Sequence, residues 1–224
     1  RLALQGRPTI TVDGETFTID LLTQDSGCTP EGGIQAAETF TTNFTSMPGV
    51  IGHMCNISCF PASGIYDENN LATISPACDA PGLTAFEGFN RTVPSQVAAA
   101  EAIAADLVAD GMTMIAVISD EEVLGTQVAD AFALAITTAG GTVSTRIEVS
   151  SRTLDADALA ADLSETTPDL IYFAGRAPAA AQIWDAMDVA LLEIPFMLAH
   201  TVDLAAFSAE TGPNSDGVLT YAPI

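Results

Sequence analysis

The feature that most limits what this chain can become is a regular alternation of short β-branched apolar runs with alanine-rich segments of helical spacing from Ser95 onward. Ser95 predicts a cap for a helix running to Ala109, with Val97, Ile103, Ala104 and Leu107 on its packing side. Met112 to Ser119 then reads as a buried strand, Leu124 to Ala139 as a helix stopped by Gly140-Gly141, and Thr142 to Val149 as a strand. The pattern continues with a helix from Asp155 to Ser164, a strand from Asp169 to Ala174 and a helix from Ala177 to Leu191. A short strand from Pro195 to Leu198, a helical turn from Leu204 to Glu210 and a last strand from Gly217 to Tyr221 complete it. Strands separated by helices predict parallel pairing through right-handed crossovers.

The earlier part of the chain is organised around Val50 to Thr84. Val50-Ile51-Gly52 reads as a strand, followed by a turn with two cysteines and a helix from Ala62 to Asn69. A strand from Leu71 to Ser75 then breaks at Pro76 into another cysteine-bearing turn. Two successive turns thus open at the carboxyl ends of neighbouring strands, where open α/β sheets place their ligands. Before this stretch, Arg1 to Gln5 reads as the last turn of a helix, Val12 to Glu15 as a turn and Thr16 to Leu22 as a strand. Gly32 to Asn43 reads as a helix capped by Thr29, with Ile34, Ala37, Phe40 and Phe44 at helical spacing and Glu31 favouring the dipole. Phe89 to Val93 is extended and is expected to cross into a second lobe.

A length of 224 residues suits one large or two small domains. The acidic side chains number 29 against six arginines (Arg1, Arg7, Arg91, Arg146, Arg152 and Arg176), a net charge of −23. Such a chain repels phosphate backbones, which excludes nucleic acid as a partner, and reads as an acidic solubilising surface. The positive mean hydropathy of +0.34 comes mostly from alanine, and no segment has the uninterrupted apolar length of a membrane span. No leader is visible at Arg1, so the chain reads as cytoplasmic or already mature.

No phosphate-binding loop, dinucleotide fingerprint or H-E-x-x-H is present, and no cofactor is expected. A nucleophile needs a base within reach, and only His53 and His200 could serve. His53 follows a buried-type strand and reads as structural. His200 lies at a strand's carboxyl end and is expected to face a cleft between lobes. His53, Cys55 and Cys59 as metal ligands lack a second compact ligand pair, so no metal is expected. Tyr172 and Trp184 read as packing residues. Three sequons, at Asn43, Asn56 and Asn90, are short matches of frequent occurrence.

The four cysteines lie close to predicted strand ends. Cys28 with Cys55 and Cys59 with Cys78 are geometrically reasonable bridges, although spacing alone leaves the pairing open. Each closure would contribute about 3–4 kcal/mol. Bridged cysteines imply an exported, oxidising location.

Several motifs carry a family resemblance. G-H-x-C-x-x-S at Gly52 to Ser58, P-A-S at Pro61 to Ser63, Ile65-Tyr66, I-S-P at Ile74 to Pro76 and Leu83-Thr84 resemble the solute-binding proteins of branched-chain amino acid ABC transporters. So do D-S-G-C-T-P at Asp25 to Pro30, N-R-T at Asn90 to Thr92, D-L-I-Y-F-A-G at Asp169 to Gly175 and P-F-M at Pro195 to Met197. The resemblance covers nearly the whole chain. It implies a type I periplasmic binding protein fold of two doubly wound, parallel-sheet α/β lobes, and it supports the Cys28–Cys55 bridge. Lobe 1 would span 1–92 and lobe 2 93–218, with 219–224 starting the crossover back. The first lobe would lack the family's first strand and helix, and the chain is therefore expected to be part of a longer protein.

The resemblance also implies a site. The family's carboxylate-binding positions at the two turns match Asn56, Ala77 and Asp79, with Ile57, Ser58 and Cys78 beside them. Its acidic residue for the ligand's ammonium matches His200, its aromatic contact matches Leu124, and the tyrosines after its glycine are Arg176 and Ala177 here. Asp79 would thus hold a cationic or hydroxyl end of the solute and Arg176 or His200 an anionic end, with Thr201 as a secondary contact. Asp79 and Arg176 pairing with each other or with solvent is the alternative. The function implied is capture of a small polar solute for a membrane ABC permease, in the periplasm or outside the cell, without covalent chemistry. A sensory receptor's binding domain and, more remotely, a hydrolase using His200 are the alternatives.

Overall fold

The computed structural model of the chain describes residues 5–44 and 47–220. Two compact units are present, Arg1–Cys78 with Gly82–Thr92 and Asp79–Pro81 with Val93–Ile224. The helical turn expected at Arg1 to Gln5 lies, apart from Gln5, outside the described residues.

The first unit opens with an antiparallel hairpin, β1 (Thr9–Val12) and β2 (Glu15–Thr18). Its two-residue turn, Asp13-Gly14, has both φ angles positive, at 50° and 86°, the backbone that a tight hairpin turn requires and that Gly supplies at least cost. The strand expected to reach Leu22 stops at Thr18.

Helix α1 (Pro30–Asn43) starts where Thr29 accepts a hydrogen bond from the Gly32 N–H at 3.0 Å, with proline in its first turn. Ala36, Ala37 and Phe40 form its buried stripe, while Ile34 and Phe44 stay exposed. Strand β3 (Val50–Ile51), helix α2 (Asn56–Glu68), strand β4 (Thr73–Ser75) and strand β5 (Phe89–Arg91) follow, and the strands form a parallel sheet in the order β3-β4-β5.

Helix α2 corrects the sequence reading, because it begins at Asn56 and not at Ala62. Pro61 lies inside it and withholds one N–H from the ladder. Packing offsets that loss. Ser58, Cys59 and Ala62 are buried, Ala62 joins Ala37, Phe40, Tyr66 and Leu71 in the core, and the two helices touch at Gly33. A Cβ on Gly33 would stand 2.3 Å from the Ser58 carbonyl oxygen.

In the second unit, helix α3 (Gln96–Ala109) is capped by Ser95, whose hydroxyl accepts from the Ala98 N–H at 3.2 Å. Strand β6 (Met114–Asp120), helix α4 (Val123–Thr138), strand β7 (Thr142–Val149), helix α5 (Ala156–Thr166), strand β8 (Leu170–Ala174) and helix α6 (Ala177–Val189) alternate as the sequence predicts. Strand β9 (Phe196–Leu198), helix α7 (Leu204–Thr211) and strand β10 (Leu219–Thr220) end the described chain. The sheet order is β10-β9-β8-β6-β7, parallel throughout. Leu219 and Thr220, expected to begin a crossover, pair with β9 in this sheet, and 221–224 lie outside the described residues.

Both faces of this sheet are covered. Ile115, Val117, Leu170 and Tyr172 pack with Leu107 of α3 and with Phe132 and Ile136 of α4, and Tyr172 stacks on Phe132 at 3.7 Å. Ile118, Ile171, Phe173 and Phe196 pack with Leu163 of α5, Ile183 and Met187 of α6 and Phe207 of α7, and Trp184 stacks on Phe196. Val97, expected on the packing side of α3, is 40% exposed, and Ala99 and Ala100 are buried instead. Among the described residues no helix is long and apolar enough to cross a membrane.

The two glycines of the α1–α2 pair give opposite expectations. Gly33→Ala is expected to destabilise the protein by about 1–3 kcal/mol through overpacking. Gly64→Ala, whose new Cβ would meet only the Phe86 ring at 3.7 Å, is expected to stabilise it by about 0.5–1 kcal/mol through helix propensity. Urea unfolding of both variants checks this, and equal shifts would contradict the close approach at Gly33.

Candidate functional site

In the second unit the carboxyl ends of β6, β8 and β9 gather polar groups. Thr201, just past β9, accepts the Gly175 N–H at 3.0 Å and so joins the end of β8 to the end of β9. Asp120, the last residue of β6, is 5% exposed and accepts the Arg176 N–H at 2.7 Å and the Glu122 N–H at 3.2 Å. Gly125 and Gly175 crowd against it, and a Cβ on Gly175 would lie 2.6 Å from its Cγ. Burial raises the Asp120 pKa, and the Arg176 backbone N–H works against that rise. The sequence reading missed Asp120. Its signal was an acid ending an apolar strand just before a helix.

Asp79 belongs to the second unit. Its Oδ2 lies 3.0 Å from His200 Nε2, and its Oδ1 accepts from Gln96 Nε2 at 3.0 Å, so both carboxylate oxygens are engaged. The Gln96 N–H also donates to the Asp79 carbonyl at 3.0 Å. Gln96 is 5% exposed, was not singled out from sequence, and sits directly after the Ser95 cap. The Arg176 guanidinium pairs with Glu122. The structure therefore brings His200 to Asp79 and gives Arg176 a separate acidic partner. Leu124, in the first turn of α4, is exposed.

In the first unit, Asn56, Ile57 and Ser58 form the first turn of α2. Ile57 is exposed and Asn56 half-buried, but Ser58 has no exposed surface and donates to the Cys55 carbonyl at 3.0 Å. After β4, Ser75 Oγ accepts the N–H groups of Ala77 at 3.3 Å and Cys78 at 2.8 Å while donating to the His53 carbonyl at 2.7 Å. The N–H of Ala77, a position expected to bind the solute's carboxylate, is thus committed to Ser75. Cys78 is fully buried.

Cys28 and Cys55 form a disulfide with their Cα atoms 5.5 Å apart. The second bridge expected, Cys59–Cys78, is not formed, and both residues are buried thiols. Cys78 Sγ donates to the His53 carbonyl at 3.2 Å. His53 is structural in its contacts. Its Nε2 is 3.2 Å from the Tyr66 hydroxyl, burial lowers its pKa, and Tyr66 is pushed up to about 12 by burial and by the nearby Cys59. Among the described residues no group of three or more His, Cys, Asp or Glu could hold a metal ion. A cavity of about 430 Å³ opens beside the amino ends of β9 and β10, between Met112, Trp184, Leu192 and Pro195, and contains none of the residues expected to bind ligand.

Residues 9–224 match the periplasmic binding protein family, and the chain belongs to that family. The Leu/Ile/Val-binding protein of Citrobacter freundii is 27% identical over 203 residues, covering 89% of this chain and 54% of its own length. The chain thus spans about half the length of the curated relatives it matches. Among solved structures, a putative branched-chain amino acid ABC transporter from Rhodospirillum rubrum superposes with a TM-score of 0.78 at 23% identity, covering 96% of this chain and 61% of that one. An ABC transporter substrate-binding protein from Desulfitobacterium hafniense, in complex with Leu, gives 0.73 at 22% identity, covering 93% and 61%. At these identities the structures establish the shared fold.

The half-buried His53 sets a pH expectation. Its lowered folded-state pKa means that folding opposes its protonation. Stability is therefore intact above the ordinary histidine value of about 6.5 and declines as the pH falls below it. His53→Gln, which keeps a hydrogen-bonding group near Tyr66, is expected to flatten that part of the acid-side decline in urea midpoints. An unaltered profile would show that His53 titrates alike in the folded and unfolded chain.

Proposed function

We propose that the chain is the greater part of an exported binding protein that captures a small polar solute, an amino acid or a related compound, and delivers it to a membrane ABC permease. The two lobes of this reading are 1–92 and 93–218, and Leu219 and Thr220 add a strand to the sheet of the second. The observation that carries it is the engaged set Asp79, Gln96 and His200, with Thr201 next to His200 in sequence, in a member of the periplasmic binding protein family. Such a set is polar and partly accessible, and it can exchange internal partners for those of a zwitterion at modest cost. The relatives' names, Leu/Ile/Val-binding and leucine-, isoleucine-, valine-, threonine- and alanine-binding, support an amino acid as the first solute to try.

The proposed contacts in the second unit are Asp79, Leu124, Arg176, His200 and Thr201, and those in the first are Asn56, Ile57 and Ala77. Ser58 and Cys78 are buried and support the turns from behind. The periplasm, or the cell exterior, is the proposed location. The Cys28–Cys55 bridge supports it.

Isothermal titration of the protein with leucine and then with a panel of amino acids is the test. One solute is expected to bind saturably. Asp79→Ala and His200→Ala should each weaken it at least about tenfold, or about 1.4 kcal/mol. Full affinity in both variants would refute these contacts, and no saturable heat with any member of the panel would refute the amino acid reading.

A further inference from the structure

A solute held at the proposed contacts needs hydrogen-bond partners there, and the donors suited to a carboxylate are largely spent on the protein itself. The Arg176 guanidinium pairs with Glu122, and the Arg176 N–H donates to Asp120 at 2.7 Å. The Gly175 N–H donates to Thr201 Oγ1 at 3.0 Å. In the first unit, the N–H groups of Ala77 and Cys78 donate to Ser75 Oγ at 3.3 and 2.8 Å. Thr201 keeps a hydroxyl hydrogen, one donor against the roughly four acceptor sites of a carboxylate.

Acceptors are better supplied. Asp79 takes Gln96 Nε2 on Oδ1 and His200 Nε2 on Oδ2, at 3.0 Å each, and each carboxylate oxygen has two acceptor sites. Gln96 is buried and holds Asp79 twice, through its amide and through its own N–H to the Asp79 carbonyl at 3.0 Å. Asp79 therefore stays in place if His200 moves. The His200 side chain is 27% exposed and is the partner a solute can replace. An ammonium in its place gives Oδ2 a charged donor.

The charges point the same way. Asp79, Gln96 and His200 together carry no net positive charge whether or not the imidazole is protonated. Asp120, Glu121, Glu122 and Glu148 lie at the carboxyl ends of β6 and β7, with Arg152 and Arg176 against them. A carboxylate brought to that edge meets like charge and loses water for which few donors substitute. An ammonium meets neither obstacle.

We propose that the site holds its solute by a cationic end alone, and that its solutes are small primary amines, amino acids with an amidated carboxyl group among them, in preference to free amino acids. The inference rests on the solute-binding reading above and narrows it.

Isothermal titration at neutral pH with matched compounds is the test. One series is leucine, leucinamide, isoamylamine and isocaproate, and the other is phenylalanine, phenylalaninamide, phenethylamine and hydrocinnamate. The amide and the amine of a series are expected to bind at least about tenfold more tightly than the free amino acid, and the carboxylate alone to give no saturable heat. Asp79→Asn, which keeps the size of the side chain and a carbonyl oxygen, is expected to weaken the amine at least about tenfold and to abolish the preference for the amide over the amino acid. A free amino acid that binds as tightly as its amide and amine, or a carboxylate that binds saturably, overturns the inference and leaves the amino acid reading standing. An unchanged preference in Asp79→Asn overturns it as well, because the cation is then held elsewhere. No saturable heat from any of the compounds overturns both readings. If Asp79→Asn fails to fold, the ranking measured on the wild-type chain decides the matter.

Discussion

Strand β6 has parallel partners on both sides, β8 and β7, and a parallel partner can be reached only through a crossover long enough to hold a helix. That constraint generates most of the second unit. It forces helices onto both faces, which is why Ile115 to Asp120 and all of β8 are buried. It also brings every strand-to-helix turn to one edge of the sheet, so Asp120, Arg176, His200 and Thr201 become neighbours of that edge although they span 82 positions of sequence. At that edge the backbone N–H groups at the starts of α4, α6 and α7 lack intrahelical partners and take oxygen acceptors, Asp120 at α6 and Asp203 at α7 among them.

The first unit is built differently. Its cluster of buried apolar residues is small, centred on Ala37, Phe40, Ala62 and Tyr66, and much of what lies near α2 is hydroxyl, thiol or imidazole. A small core leaves more of the stability to links that limit the unfolded chain. The Cys28–Cys55 bridge closes a separation of 27 residues, a constraint of about 3–4 kcal/mol by chain entropy. It also fixes the residue that precedes α2, from which the helix proceeds through Pro61.

What was legible in the sequence was local. Thr29, Ser95 and Gly140 marked helix ends because a cap acts within a few residues of itself, and the strand runs around Val117 and Ile171 were unmistakable because both faces are apolar. Alanine-rich helices gave less away: nearly every position of α3 can be buried, and only the fold chose Ala99 and Ala100 over Val97. The start of α2 was hidden by Pro61, whose cost is met by packing against a helix some thirty residues earlier. Asp120 was hidden for a related reason. Its importance comes from Gly175 and the Arg176 N–H, 55 and 56 positions away, and no local spacing records them. Asp79 and His200 were singled out, but that they meet could not be read from a separation of 121 residues.

The fate of the arginines has a consequence for anything that approaches the protein. Arg146 is held by Asp130, Ser119 and the Ile147 carbonyl, Arg176 by Glu122, and Arg91 lies against Thr84 and over the Phe89 ring. Three of the six arginines are thus occupied with local structure, in a chain whose net charge is −23. A net charge of that size makes the mean surrounding potential negative, and it reaches outward by a screening length of about 10 Å at 0.1 M salt. Anions are slowed on approach and cations hastened, and zwitterions are turned ammonium end first before any contact is made. Ionic strength therefore acts chiefly on the rate of encounter, while the short-range hydrogen bonds at the strand ends govern how long an encounter lasts.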